Sequence, residues 1–420
     1  MTRTVVCPPR RARGAGERGA MLVQVAVAMT ALCGLSALAV DFGLLMAARS
    51  QAQAAADAGA LAGATAIGFD DFGGLNYYGR VIQPAQAVAR ANLVLNQPPV
   101  VGDADVSVTA MTIPGFPPSP GGGRTRNSVV VSVYRNREHG NPLPTFFGRI
   151  VGIDAQGVRA QASATIVPSN ASDCVWPLAI PDNWVENNGV SSFVRYAATG
   201  PPAPAAPADT YAAPTFTPPG TVSPGSGYQV PVSLNINLPL TLTTVTGFGL
   251  PAEHGRFVPV QVPRRDGAGF SASLSSCNGT PVAIGDVLPV DPTGGLAMLP
   301  SVLNAAAARV SADPNASWNP TTLRVQNSCA YDPAPCAPVS PRIVVLPLFD
   351  LNRYELTRWN GGVAGATPQI EIVNLVGFFI TQVTGTSIQG QLTLSPGRVI
   401  AGRPMVGYTS AFLRTAVLTR

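Results

Sequence analysis

From Gly19 to Val40 the chain reads GAMLVQVAVAMTALCGLSALAV, 22 residues without a charged side chain. At about 1.5 Å per residue a helix of this length reaches roughly 33 Å, enough to cross the hydrocarbon core of a bilayer. The run therefore predicts a transmembrane helix over 19–40. Before it stand Arg3, Arg10, Arg11, Arg13 and Arg18 against one acid, Glu17, and this bias predicts a cytoplasmic amino terminus with the rest of the chain outside. A cleaved signal peptide is the competing reading, since Ala37-Leu38-Ala39 has the form of a cleavage site. The run is longer than the usual apolar region of about 7 to 15 residues in such peptides, and the helical pattern continues past it, which favours the anchor. Pilin-type processing after Gly19 would put Gln24 at the fifth mature position, where a type IV pilin-like start has glutamate.

Asp41 ends the run. A carboxylate is expensive at the centre of a membrane helix and far less so at its edge, so Asp41 is expected to mark the outer headgroup level rather than to meet a specific partner. Beyond it Ala48, Ala52, Ala56, Ala60 and Ala64 fall four apart, with a second small ridge at Ala55, Gly59 and Gly63. That spacing keeps them on one slowly rotating face of a continuing helix, and small side chains let another backbone approach closely. Ala52, Ala56, Ala60, Gly59 and Gly63 are accordingly the candidate packing residues. Arg49, Gln53 and Asp57 form a polar line beside them, facing water or a partner's polar groups.

The stretch from Arg18 to Ala64 closely resembles the amino-terminal segment of the TadE/TadG-like proteins of the Flp pilus, or tight-adherence, machinery. In that family an apolar span ends in Asp-x-Gly and is followed by Gln-x-Ala-Ala-Asp-Ala-x-Ala-Leu-Ala-Gly-Ala. This chain carries Asp41 and Gly43, then Gln53, Ala55, Ala56, Asp57, Ala58, Ala60, Leu61, Ala62, Gly63 and Ala64. The segment from Asn127 to Pro168 looks like the family's following region, in which a strand, a Pro-Thr-Phe-Phe turn, a short helix ending in glycine and a further strand recur. CVWPLAIP and PRIVVLPLFD extend the resemblance in part. It implies an envelope-anchored accessory component of a pilus or secretion apparatus, partnered by that apparatus's membrane proteins. It implies no chemistry.

Outside the membrane the period changes. Gln83–Gln97 has helical character, DADVSVTAM, NSVVVSVYR and GVRAQASATIV alternate as half-buried strands do, and Thr145–Ile153 reads as a short apolar helix closed by glycine. Proline and glycine, 41 and 43 in 420 residues, concentrate in Pro114–Gly123 and Thr199–Gly227, which cannot be central strands or helix interiors. After them valine-, isoleucine- and threonine-rich runs predict strands, with one clear helix at Gly294–Pro314. Prolines within several of these runs argue against a regular sandwich.

The expected fold class is α+β. A cytoplasmic basic segment (1–18) leads to the membrane helix (19–40) and the alanine-rich helix (41–68). An external α+β domain (69–170), a Cys- and Pro-rich connection (171–227) and a β-rich domain (228–420) follow.

Cys174, Cys277, Cys329 and Cys336 lie on the external side, an even number in an oxidising compartment. Cys329 with Cys336 is the expected close pair, and Cys174 with Cys277 follows by elimination. A four-cysteine zinc site is the weaker alternative, because no Cys-x-x-Cys knuckle occurs. Cys7 and Cys33 fall on the cytoplasmic side and in the membrane.

Little in the chain suggests catalysis. It has two histidines, His139 and His254, far apart in sequence, and no Gly-x-Ser-x-Gly elbow, His-Glu-x-x-His helix or Walker loop. Asp105-Val-Ser-Val-Thr109 has the form of a von Willebrand type A metal site, but its alternation is that of any half-exposed strand. The net charge of +5 is carried by scattered arginines without a lysine, weak support for a nucleic-acid partner. Trp184 and Trp359 stand beside polar residues, a composition suited to interfaces or sugar stacking, although burial is the simpler expectation. A non-enzymatic envelope protein of pilus assembly is thus expected, without cofactor, metal or small-molecule substrate. The alternative is a cell-surface binding module that shares the anchor.

Overall fold

The computed structural model describes residues 16–70, 77–112, 115–117, 125–195, 208–218, 221–230, 239–244, 250–291, 295–321, 324–329, 339–359 and 368–419. Cys7, Cys336, the arginines before residue 16, most of the Pro114–Gly123 loop and much of Thr199–Gly227 lie outside these, as does the side chain of Trp359.

One helix, α1, runs from Gly16 to Asp70, 55 residues and about 80 Å. It contains no proline and is rich in alanine, leucine and methionine, so nothing interrupts it at Asp41. Its two halves differ in surroundings. Large apolar side chains are bare on all sides of the first half, with Met21 66% and Leu38 67% exposed, whereas Ala48, Ala52, Ala56 and Ala60 in the second half are fully buried.

A second helix, α2 (Tyr77–Ala91), covers part of the stretch expected to be helical over Gln83–Gln97 but begins and ends earlier. Leu95 and Asn96 take φ of 48° and 61°, and Val94 and Gln97 exchange backbone hydrogen bonds, so the chain turns there.

In chain order the strands that carry the architecture are β1 (Val106–Thr112), β2 (Thr125–Arg135), β3 (Val158–Pro168), β4 (Leu178–Pro181), β5 (Pro239–Thr244), β6 (Arg256–Pro259), β7 (Val287–Pro289), β8 (Ile343–Phe349), β9 (Gln369–Val383), β10 (Ile388–Thr393), β11 (Ser395–Pro396) and β12 (Leu413–Thr419). The first sheet has the order β1-β2-β3-β12-β11. Val131 of β2 pairs with Val106 of β1 and Ala162 of β3, and Val129 and Val133 pair with Ala164 and Ala160. These residues share one face because side chains alternate along a strand, and α1 and α2 pack against it. Ser107 and Thr109 fall on the opposite face, as ordinary strand alternation requires.

The second sheet closes on itself. Its pairings run β9-β8-β4-β6-β5-β10 and return from β10 to β9, making a six-stranded barrel of mixed direction, with β7 added against β9. Closure removes the exposed edges that the proline-interrupted strands would otherwise present. Pro181, Pro239, Pro259 and Pro289 stand at strand ends, and Pro347 sits inside β8 beside a register shift at Leu348/Phe349. Trp176, Phe257, Phe349, Phe378 and Phe412 are buried in the barrel's core. Gly377 lets β9 and β10 come together, since a Cβ there would lie 2.6 Å from the Thr393 carbonyl oxygen. Helix α3 (Gly295–Ala312) packs against this core through Val302 and Ala306.

The linear domain order differs from the expected one at two places. Residues 171–181 already belong to the barrel region, β4 lying parallel to β8 through Ile180 and Leu348, so CVWPLAIP and PRIVVLPLFD are direct neighbours. The last strand, β12, leaves the β-rich part and pairs antiparallel with β3 from Arg414–Pro168 to Thr419–Ser163. The buried Arg414 guanidinium donates to the Gly68 carbonyl at 3.2 Å near the end of α1, where an unpaired helix carbonyl favours a cation.

Asp182, fully enclosed at the end of β4, accepts hydrogen bonds from the Asn183 and Tyr228 backbone N–H groups and the Tyr211 hydroxyl. Burial pushes its carboxyl up to about 6, against the pull of those donors. Between about pH 4 and about pH 6 the folded chain keeps a proton that the unfolded chain releases, so this group's contribution to stability falls as pH rises through that window. Wild type is therefore expected to lose about 3 kcal/mol relative to Asp182→Asn between those limits, read as the difference in unfolding free energy. A pH-independent difference would refute the assignment.

Candidate functional site

The end of the first domain nearest the bare half of α1 is tied to that helix at Asp41. Its Oδ1 accepts from the Phe146 N–H at 2.9 Å, and its Oδ2 from the Phe147 and Gly148 N–H groups at 3.0 and 2.7 Å. Three convergent backbone donors on one carboxylate make charge-assisted bonds. The acid expected to be a marker without a partner thus has a specific one, more than 100 residues away in sequence. The donors start a 3₁₀ turn, Gly148–Val151, closed by Gly152 at φ 82°; the apolar helix expected over Thr145–Ile153 is this shorter, tighter turn. A Cβ on Gly148 would meet the Ile153 carbonyl oxygen at 2.8 Å and the Thr145 hydroxyl at 2.9 Å, so glycine is needed to fold it. Beside it Leu44 and Leu45 of α1 line a small cavity with Leu143, Pro144 and Thr145.

Further along α1 the small ridge is filled by the chain's own domain. An added Cβ on Gly59 would stand 2.9 Å from both the Ala85 carbonyl oxygen and the Ala89 Cβ, and one on Gly63 2.8 Å from Val129 Cγ1. Ala52, Ala56 and Ala60 belong to the same core. Leu61 packs at its margin. On the polar line Gln53 donates to Asp57 Oδ1 at 2.8 Å and to the Gln161 carbonyl at 3.2 Å, where β3 runs on beyond its pairing with β12. Gln53 and Asp57 also border an open cleft of about 570 Å³ with Ser107, Thr109 and Gln161. Gln51 Oε1 accepts from the Leu95 N–H at 2.8 Å, which pins the turn after α2. Gly43 is exposed with nothing within 4 Å of an added Cβ, so nothing in the structure explains the glycine there.

Residues 19–66 thus comprise a bare apolar half, a tether at Asp41 and a wedge packed into the domain. Residues 19–66 match the Flp pilus-assembly TadE/G-like family model. The match covers the bare half of α1 and its packed half as far as Ala66, and α1 continues past it to meet β3, where a Cβ on Gly68 would lie 2.5 Å from Ile166. No curated protein and no solved structure was found to match the chain.

Of the other sequence candidates, Cys174 and Cys277 form a disulfide, which removes both from any zinc set. Cys329 is also disulfide-bonded; Cys336, its expected partner, lies outside the described residues. Cys33 is free and exposed on the bare half of α1. Trp184 is buried, stacked on His254 with centroids 3.7 Å apart, and is not offered to a ligand. Burial holds the His254 imidazole below its usual value despite the nearby Glu186. The residues that reading the sequence position by position missed are Phe146, Phe147 and Gly148. The Pro-Thr-Phe-Phe pattern flagged their turn, but nothing local linked it to Asp41.

Proposed function

We propose that the chain is a single-pass, non-enzymatic envelope protein that takes part in assembling an Flp-type (Tad) pilus or a related adhesion or secretion apparatus. The observation that carries this reading is the form of the TadE/G-like segment: one unbroken helix, bare and apolar over its first half and wedged into its own domain over its second. A bare apolar half of about 30 Å suits a bilayer, and the arginines before it favour a cytoplasmic amino terminus with both folded parts periplasmic or extracellular. The protein works by packing. Its partners are membrane proteins of the apparatus, which the folded region would meet at a height fixed by the rigid helix.

Affinity capture of the full-length chain from detergent-solubilised membranes, with piliation of a deletion strain counted in parallel, tests this. Co-purification of pilus-assembly membrane proteins and loss of pili are expected. Normal piliation together with lost surface adhesion would replace this reading with a cell-surface binding module.

A further inference from the structure

We propose that the turn from Phe146 to Ile153 is a second membrane contact, seated in the headgroup–acyl boundary of the outer leaflet of the bilayer that α1 spans. The proposal rests on the anchor reading above and adds a lipid-binding element to it. In this turn Phe146 is 67%, Phe147 43%, Ile150 82% and Ile153 47% exposed, four large apolar side chains bared on one short segment. Isolated apolar residues on a surface are ordinary, but four within eight positions on one tight turn form a contiguous patch.

The occupant follows from where the patch is held. Asp41 is the first residue after the apolar run, and its carboxylate grips the N–H groups of Phe146, Phe147 and Gly148 directly. The turn is thereby fixed at the level where α1 leaves the hydrocarbon, and it can sit neither deep in the membrane nor far above it. On α1 itself Phe42, next to Asp41, is 56% exposed, and Met46, about 7.5 Å further along, is 46% exposed, so apolar exposure on the helix runs from the bare span up to the level of the turn. Aromatic rings favour that boundary, and Arg149, exposed between the apolar residues, has a stem long enough to lie along the acyl region while its guanidinium reaches phosphate. The Asp41 carboxylate, which would be costly in hydrocarbon, is covered by its three backbone donors on the side that faces the turn.

The test uses the full-length chain in lipid vesicles, labelled with an environment-sensitive fluorophore at single thiols. With Cys7→Ser, the native Cys33 carries the label and reports the span; with Cys7→Ser, Cys33→Ser and Ile150→Cys, the label reports the turn. Quenchers are lipids bearing a nitroxide near the headgroup or deep in the acyl chain, and aqueous iodide. Cys33 should lose fluorescence to the deep nitroxide, and position 150 to the shallow nitroxide but not to iodide. Adding Asp41→Ala should shift position 150 from nitroxide to iodide quenching and leave Cys33 unchanged.

Iodide quenching at position 150 with Cys33 still quenched by lipid would overturn the proposal and leave the anchor standing. Protection of position 150 from both quenchers would also overturn it, assigning the patch to a second copy of the chain. Absence of lipid quenching at Cys33 would refute the anchor reading, and the membrane contact with it.

Discussion

Gly59→Leu is expected to destabilise the domain packed on α1 by about 3 kcal/mol or more, the upper range for forcing methylenes into a filled core. The close approach explains the size. An ordinary Cβ at this position already lies 2.9 Å from the Ala85 carbonyl oxygen and from the Ala89 Cβ, so α2 must move before any side chain fits. Ala56→Leu and Ala60→Leu should act in the same direction, because both alanines are fully buried in that core. Gly43→Ala supplies the contrast: it removes a helix glycine with nothing within 4 Å, so helix propensity alone operates and a gain of up to about 1 kcal/mol is expected. Denaturant unfolding in detergent, followed by protection of α2 from protease, reads both effects. A Gly59→Leu chain that unfolds like wild type but no longer captures apparatus proteins would mean that the ridge serves a partner rather than its own domain.

What could be read from the sequence was whatever is local and periodic. The 22-residue uncharged run, the four-residue spacing of alanines and the alternation of Val129, Val131 and Val133 each impose a surface on the element that carries them. The last two of those surfaces found partners within the chain: the Gly59–Gly63 ridge met Ala85 and Val129, and the valines met Ala160, Ala162 and Ala164. The junction at Asp41 left no such trace. A carboxylate that binds backbone N–H groups requires no particular side chain of its partner, so Phe146, Phe147 and Gly148 could not be paired with it by residue type. Closure of the barrel and the return of β12 to β3 were hidden for a related reason. Strand pairing reads burial and register rather than identity, and a seven-residue apolar strand near the carboxyl terminus suits either sheet. Arg414 carried the one distinguishing feature, a cation placed to meet the last turn of α1, and its role depends on a contact 346 residues away.

Both halves of the molecule are thus held by long-range contacts, and in the barrel the most consequential of these is covalent. The Cys174–Cys277 disulfide joins positions 103 residues apart, and within that loop lie β4, β5, β6, the buried Asp182 and the proline-rich connection. Proline and glycine there supply few regular hydrogen bonds, so the native loop has little local structure to favour its closure. Around the bridge Asn278 Oδ1 accepts from the Val175 N–H at 3.0 Å and the Gly279 N–H reaches the Asp173 carbonyl at 3.0 Å, which aligns Trp176 to donate its backbone N–H to the Val345 carbonyl in β8 at 2.8 Å. The bond therefore fixes the point at which the barrel's parallel pair begins. Restricting the unfolded chain over a loop of about 100 residues is worth about 4.7 kcal/mol on the chain-entropy estimate, more than three orders of magnitude in the unfolding equilibrium. Cys174→Ala with Cys277→Ala should lower the denaturant midpoint by a corresponding amount while the remaining disulfide chemistry at Cys329 is untouched, which reduction with a thiol would not achieve. An unchanged midpoint in the double variant would mean that the loop is held closed in the unfolded state by other contacts, and the bridge would lose its structural role.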